Sequence, residues 1–514
     1  LNPNITNQAL KKIAKGAGIV FFGLITGKAL GYLTRMFIAR FMGPDVYGLV
    51  SLGLGIFGIA TAISLFGLSH GITRYISFYK GKGNFGKIKG TIISSLKMTF
   101  PLSLALSAGL FILAGQISAD IFSKPALTPV IKLFALAVPF AVLSIVFISS
   151  IKGFQIMAYK VYVDDILKNV STLVAVVLLF WAGLTLTGAV LAYAVGFVFA
   201  AALGGYYLEK AFPIIRTKIK AIPTGRELLA FSWPLAAVAM LGLIMAWTDT
   251  LMLGYFRPAA DVGIYNAALP TAMLIIIILA SFYHIFTPVI SELYSRGKKE
   301  ELRQTYKTVT RWIFSLTIPL FLIMLLFPKQ ILAVLFGPKY FLGAVPLMIL
   351  AFGFFVNAAV GLTGQTILTI GKTKTNLFLG AIGASSNFTL NAILIPIYGI
   401  VGAAVATAAS LILLNVISLG FVHRYLRVQP YTLSYVKITF AAFVPFAALW
   451  LIANYLVIPT LAFVLLLVPL LLCYALLFLL IGGFCKEDVA VLRAVEKKIG
   501  IKIGWLRALV KRFI

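Results

Sequence analysis

With 514 residues, 61% of them hydrophobic and only 11% charged, and a mean hydropathy of +1.04, the chain is too apolar for a water-soluble globular protein, where about a quarter of residues are charged. The formal charge of +30 suggests nucleic acid at first sight, but the cations are sorted to one side of a series of apolar runs, which is the mark of a membrane protein oriented by its charge. Two cysteines, Cys473 and Cys485, leave no room for a disulfide framework or a thiolate metal cluster.

Fourteen apolar runs read in order as membrane-spanning helices, at 16–40, 46–68, 91–114, 129–151, 166–182, 187–208, 228–254, 262–287, 308–327, 342–366, 375–395, 400–422, 437–455 and 461–483. Most approach the ~20 residues that a helix needs to cross the hydrocarbon layer. The first is too long for the apolar stretch of a cleavable signal and carries charge in its middle. With a cytoplasmic N-terminus, the outer loops hold only Lys124, Arg257, Lys329 and Lys339. Lys28, Arg35, Arg40, Lys97 and Lys132 fall within spans, and the rest of the 44 Lys and Arg, counting Lys168, Arg311 and Lys437 at cytoplasmic span ends, lie on the cytoplasmic side. The expectation is an all-α multi-pass protein of the cell membrane with both termini cytoplasmic.

The longest inner loops are 70–90, 209–226 and 288–307, and the second of these helps divide the chain as six, six and two spans. The predicted domains are an N-terminal lobe at 1–226, a C-terminal lobe at 227–430, a helix pair at 431–485 and a basic tail at 486–514. In that tail Val489, Leu492, Val495 and Ile499 recur at helical spacing, which reads as an amphipathic helix on the anionic inner leaflet. The two lobes look duplicated. Asp45-Val46 and Asp261-Val262 follow the first span of each lobe, GAVLAYA opens at Gly188 and GAAVATA at Gly402, and Gln155 pairs with Gln365. An even number of spans per copy gives parallel repeats, with a substrate site expected between them near mid-membrane.

Ionisable residues inside spans are costly and therefore informative. Lys28 lies about 18 Å below the outer boundary at the helical rise of about 1.5 Å per residue. Arg35, seven residues on, shares its face, and no carboxylate in the span neutralises either. Two cations on one helix face suit a doubly charged anion such as a pyrophosphate; a salt bridge to another helix is the alternative. Arg74, just after span 2, is placed at the cytoplasmic mouth. Gly23, Gly27 and Gly31 form a small-residue face suited to close helix packing. Asp164 and Asp165, ahead of span 5, are expected to stabilise its N-terminus.

Asp249 is the carboxylate well inside a span, about 8 Å from the outer surface by the same rise. Asn387 and Asn391 stand one turn apart on span 11, and Thr407 enters from the outer end of span 12. Together with a backbone carbonyl these suit a hard cation such as Na⁺; a protonated Asp249 bonded to the two asparagines, or a polar clamp between helices, suits them as well. No P-loop, metal-ligand spacing or Ser/His/Asp cluster is present. The acid pairs Glu300-Glu301 and Glu487-Asp488 are what a membrane enzyme would have to draw on, so no enzymatic activity is expected.

ARFMGPDVYGLVSLG (39–53), WTDTLMLGYFRPAADVGIYNAA (247–268) and LTIGKTKTNLFLG…NFTLNAILIPIYGIVGAAVATAAS (368–410) resemble the Wzx-type polysaccharide-biosynthesis flippases of the multidrug/oligosaccharidyl-lipid/polysaccharide exporter group. The resemblance covers nearly the whole chain. It implies two six-helix lobes in a V shape, and export of a glycan carried on a polyprenyl or dolichyl (pyro)phosphate. It also implies a lipid-tail groove at spans 13 and 14. Some relatives hold Na⁺ at positions matching Asp249, Asn387, Asn391, Ala403 and Thr407, although Asn391 replaces an acid there. The expected partners are the lipid-linked oligosaccharide and membrane lipids, with the protein itself a monomer that can associate with glycan-assembly enzymes. Cation-coupled multidrug export on the same fold, and a membrane glycosyltransferase or ligase, are the competing functions.

Overall fold

The computed structural model describes residues 22–455 and 460–481. Every regular element among them is helical, because a backbone in lipid has to satisfy its hydrogen bonds within its own segment. Ten helices among the described residues are long and apolar enough to cross a membrane. Two of the ten, Phe22–Leu65 and Thr373–Leu426, are interrupted at a glycine. Gly43 has φ 88° and ψ 172°, and Gly399 has φ 56° and ψ −129°, backbone conformations that a side chain disfavours. Both breaks fall where the sequence separates one apolar run from the next.

The chain forms two compact units that divide between Asn266 and Ala267. In the first, α1 (22–37) continues through a π-helical turn, Ile38–Met42, to Gly43, where α2 (Gly43–Leu65) begins. Phe66 and Gly67 both adopt left-handed conformations and turn the chain into α3 (Leu68–Gly81). Most of the stretch read as a loop at 70–90 is therefore helix. Its apolar side, with Leu68, Ile72, Ile76 and Tyr79 buried, packs on neighbours at intervals of about one turn. Asn84 then caps α4 (Phe85–Gln116), its side chain accepting from the Lys87 amide at 3.0 Å.

The helix α5 (Leu127–Gly153) is the centre of this unit, packed against α2, α3, α4 and α8 (Leu186–Ala211). Between them run α6 (Met157–Lys160), a π-helical segment Val161–Leu167 and α7 (Lys168–Trp181). The glycine face of α1 meets this segment. A Cβ on Gly27 would come within 2.7 Å of the Asp165 carbonyl oxygen, and one on Gly23 would overlap Val161. This is the close helix approach that small residues allow. The first unit closes with α9 (Gly225–Phe256) and the opening turns of α10 (Ala259–Ala272).

A polar latch ties the start of α9 to α3 and α4. The Glu227 carboxylate accepts from the Tyr79 hydroxyl and from Lys87 Nζ at 3.3 Å. Those partners hold the Glu227 carboxyl below the usual carboxylate range, while burial and the neighbouring Glu227 push the Tyr79 phenol up. A depressed acid stabilises the fold only while ionised, so its contribution disappears as the pH falls through its lowered value. A raised phenol loses its contribution only above the ordinary phenol range. The latch is thus expected to hold from neutral into mildly alkaline solution and to loosen in acid. Amide exchange across 75–91 should speed up on acidification beyond the intrinsic pH dependence, and Glu227→Gln should remove that step.

The second unit is built on α11 (Leu274–Ser295), α12 (Lys299–Leu326), α14 (Ala344–Val360) and α16 (Thr373–Leu426), with α13 (Pro328–Leu335) and α15 (Thr363–Thr369) as short connectors. α14 lies against α12 and α16, and Gly353 lets it reach Ala408. Tyr306 donates to the Val360 carbonyl at 2.7 Å and Arg303 to the Leu426 carbonyl at 2.8 Å, which satisfies two helix C-termini. α17 (Leu433–Tyr455) packs on α12, and α18 (Thr460–Leu480) packs on α17. Tyr474 of α18 donates to the Ser315 carbonyl at 2.8 Å. The amphipathic helix expected at 486–514, and Cys485, lie outside the described residues.

Candidate functional site

A cavity of about 230 Å³ opens within the first unit, lined by Arg35, Leu54, Phe57, Gly58, Lys168, Asn169, Thr172, Tyr193, Phe197 and Trp247. Two of these are cations, and none of the described lining residues is acidic. Arg35 projects from α1 with the hydroxyls of Tyr47 and Tyr193 as hydrogen-bond partners. The guanidinium keeps its charge under all conditions and presents a planar fork suited to phosphate oxygens.

Lys168 is the residue that hydropathy misses, since it sits at a span edge where a basic residue reads as topology. It enters the wall because the π-helical segment before it adds residues to a turn and so rotates the first turns of α7; such segments recur at functional sites. Its ammonium pairs with Asp164, and it lies 5.9 Å from the centre of the Phe197 ring. Lys160 forms a buried ion pair with Asp165 at 2.6 Å. The helix already runs through 157–167, so the two aspartates do not cap its N-terminus. They counter the lysines on either side, and Lys168 also holds the Asp164 carboxyl below its usual range against the opposing effect of burial. The signal in the sequence is the i, i+4 ladder Lys160, Asp164, Lys168.

Lys28 is exposed and does not line the cavity. It lies on the same face of α1 as Arg35, about 10 Å along the axis at the helical rise. Arg74 is exposed on α3, its guanidinium 4.1 Å from the centre of the Phe231 ring of α9, a cation–π contact.

Asp249 is buried in the first unit, where the Tyr265 hydroxyl donates to its Oδ2 at 2.6 Å. Asn387, Asn391, Ala403 and Thr407 are buried in the second. There Asn387 Nδ2 donates to Thr407 Oγ1 at 3.3 Å, and Asn391 Nδ2 to the Asn387 carbonyl at 2.9 Å. The structure therefore brings Asn387, Asn391 and Thr407 together. These asparagine and threonine groups offer neutral oxygens within the second unit. That chemistry fits a monovalent hard cation. Among the described residues, no three His, Cys, Asp or Glu side chains gather as a metal cluster.

The fold is that of a known class of membrane transporter. The structure superposes on a lipid II flippase, MurJ, in an inward closed conformation, with a TM-score of 0.71 and 13% identity over 92% of this chain and 99% of that one. The sequence then identifies the family. The profile described as polysaccharide biosynthesis protein matches residues 13–294, more than half of the chain, and a MatE profile matches 234–393. The chain belongs to the polysaccharide biosynthesis protein family, a family of membrane transporters and not of enzymes. It is 23% identical to a probable low-salt glycan biosynthesis flippase of Haloferax volcanii, over 81% of this chain and 85% of that protein. It is 22% identical to a putative O-antigen transporter of Shigella flexneri, over 73% of this chain and 90% of that protein.

Proposed function

We propose that this protein is a flippase that carries a lipid-linked oligosaccharide, on a polyprenyl or dolichyl (pyro)phosphate, from the cytoplasmic to the outer leaflet by alternating access. The observation that carries the reading is the pairing of Arg35 and Lys168 on the wall of one cavity with no acidic lining residue. Such a wall holds a phosphate and repels the cationic compounds that a multidrug exporter must bind. Lys28, on the same helix face, attracts the phosphates on their way in, and Arg74 does so at the cytoplasmic mouth. As the phosphate arrives, Lys168 exchanges Asp164 for it. An inside-negative potential favours outward movement of the anion by about 2.3 kcal/mol per charge per 100 mV.

Fourteen crossings, arranged as lobes at 1–226 and 227–430 with a further helix pair at 431–485 that borders the lipid tail, are part of this reading. The breaks at Gly43 and Gly399 support it, as do the apolar helices α7, of 14 residues, and α18, of 21. A cell-membrane location, cytoplasmic termini and a monomeric state belong to it as well. Asp249 in the first unit is the proposed carboxylate for a coupling cation, Na⁺ or a proton, and Asn387, Asn391, Thr407 and the Ala403 carbonyl in the second are proposed cation ligands.

Purified protein in liposomes should flip a polyprenyl-phosphate-linked glycan, and the rate should rise with an inside-negative potential when the substrate starts on the inner leaflet. A protein that carries cationic dyes and leaves the lipid-linked glycan in place would sink the proposal. Asp249→Asn should abolish any stimulation by Na⁺ or by a proton gradient, while the response to potential persists.

A further inference from the structure

Arg35, half-buried on the cavity wall, and Asp249, buried, occupy equivalent positions in the sequence repeat. Thr34-Arg35 and Thr248-Asp249 stand 214 residues apart, and Pro44 and Pro258 keep the same spacing. Each charge is met by a tyrosine from the helix beyond the proline. Tyr47 of α2 reaches Arg35, and Tyr265 of α10 donates to Asp249. The charge differs in sign between the copies and each has its own tyrosine, 12 residues after Arg35 and 16 after Asp249, since a phenol oxygen accepts from a guanidinium as readily as its proton is donated to a carboxylate.

The copies are also joined to each other. The Tyr47 hydroxyl donates to the Asn266 carbonyl at 3.0 Å. Asn266 is the neighbour of Tyr265, and its side-chain amide donates to Thr250 at 3.2 Å, next to Asp249. Tyr47, Thr250, Tyr265 and Asn266 are all nearly or fully buried, in surroundings where a hydrogen bond weakened at one end is not replaced by water.

We propose that Tyr47 and Tyr265 are positioning residues that couple anion binding at Arg35 to the charge state of Asp249. The inference rests on the reading of Arg35 as the ligand of the substrate phosphate. A phosphate that draws the guanidinium away leaves Tyr47 with one partner, the Asn266 carbonyl. Neutralising Asp249 weakens the acceptor of the Tyr265 proton. Each event loosens or tightens the same turn of α10, so each changes the free energy of the other, and linkage makes the effect reciprocal.

The test is a double-mutant cycle on the full-length purified protein, with a short-chain polyprenyl phosphate as the anionic probe and Asp249→Asn as the neutralised carboxylate. In the wild-type background Asp249→Asn should change the probe's Kd at least fivefold, the lower end of typical coupling. In a Tyr47→Phe background, which keeps the ring and removes the hydroxyl, the same substitution should change Kd by less than about twofold. Direct attraction or repulsion through space is common to both backgrounds, so the difference isolates the relay. Tyr265→Phe should give the same loss of coupling by the other route. Equal effects of Asp249→Asn in both backgrounds, or no effect in either, overturn the proposal. Arg35→Gln addresses the underlying reading separately: unchanged probe affinity in that variant removes the phosphate assignment and the coupling with it. Thermal melts of each variant identify any that fail to fold, and for those the cycle is repeated with Tyr47→Leu.

Discussion

Arg35→Ala is expected to reduce transport of a lipid-phosphate-linked glycan by a hundredfold or more, and Lys28→Ala by no more than about tenfold. A hydrogen bond to a charged group contributes about 1.5–3 kcal/mol, and a bidentate guanidinium makes two. Lys28 lies outside the cavity and acts as a point charge at longer range. Arg35→Ala leaves behind the neutral hydroxyls of Tyr47 and Tyr193, so the variant should fold. Arg35→Lys should fall between, because an ammonium cannot reproduce the fork. Lys168→Ala has a different signature. It strips Asp164 of its partner and leaves a carboxylate beside the cavity, which adds repulsion to lost attraction. Asp164→Asn in the Lys168→Ala background should therefore restore part of the activity, while the same substitution in the Arg35→Ala background should not. Initial flipping rates in liposomes, with thermal melts as the folding control, decide this. Equal rates for Arg35→Ala and wild type would dismiss the cavity as the phosphate site.

Much of the fold could be read from the sequence because lipid makes the code simple. Apolar length marks a span, and cation asymmetry orients it. The glycine breaks at Gly43 and Gly399 fall where one apolar run gives way to the next, and the Gly23–Gly27 face packs as its spacing requires. What hydropathy could not show is helix beyond the membrane. α3 and the ends of α11 and α12 are too polar to register as spans, yet they are helical because one side of each is buried. Within the site, Arg35 was visible as a charge in an apolar run, whereas Lys168 was hidden at a span edge and brought in by a π-helical turn that leaves no hydropathy signature. The equivalence of Arg35 and Asp249 was hidden for another reason. A search for repeated residues rewards identity, and the position changed sign between the copies.

Gly48→Val, and Gly263→Val in turn, should destabilise the arrangement seen here by about 2 kcal/mol or more. These glycines come from the two copies of the repeat motif, and they face each other across the start of α2 and the start of α10. A Cβ on Gly48 would overlap the Ala259 carbonyl oxygen and come within 2.9 Å of the Gly263 nitrogen; one on Gly263 would overlap the Pro44 carbonyl oxygen and come within 3.0 Å of the Gly48 nitrogen. Backbone cannot rotate aside as a side chain can, so the helices have to move apart, and overpacking of this kind costs about 1–3 kcal/mol, sometimes more. In the proposed orientation this contact is at the outer end of the helices, where alternating access requires it to open for release. The variant should then fold in a population shifted toward separated helices, since about 2 kcal/mol changes a two-state ratio roughly thirtyfold. Leu52, fully buried and in contact with Gly254 of α9, reports on that opening. A cysteine at position 52 should react with an impermeant thiol reagent from outside at least tenfold faster when Gly48 is valine. A lower melting temperature without faster labelling would mean that the glycine pair only supports the fold and is no part of a gate.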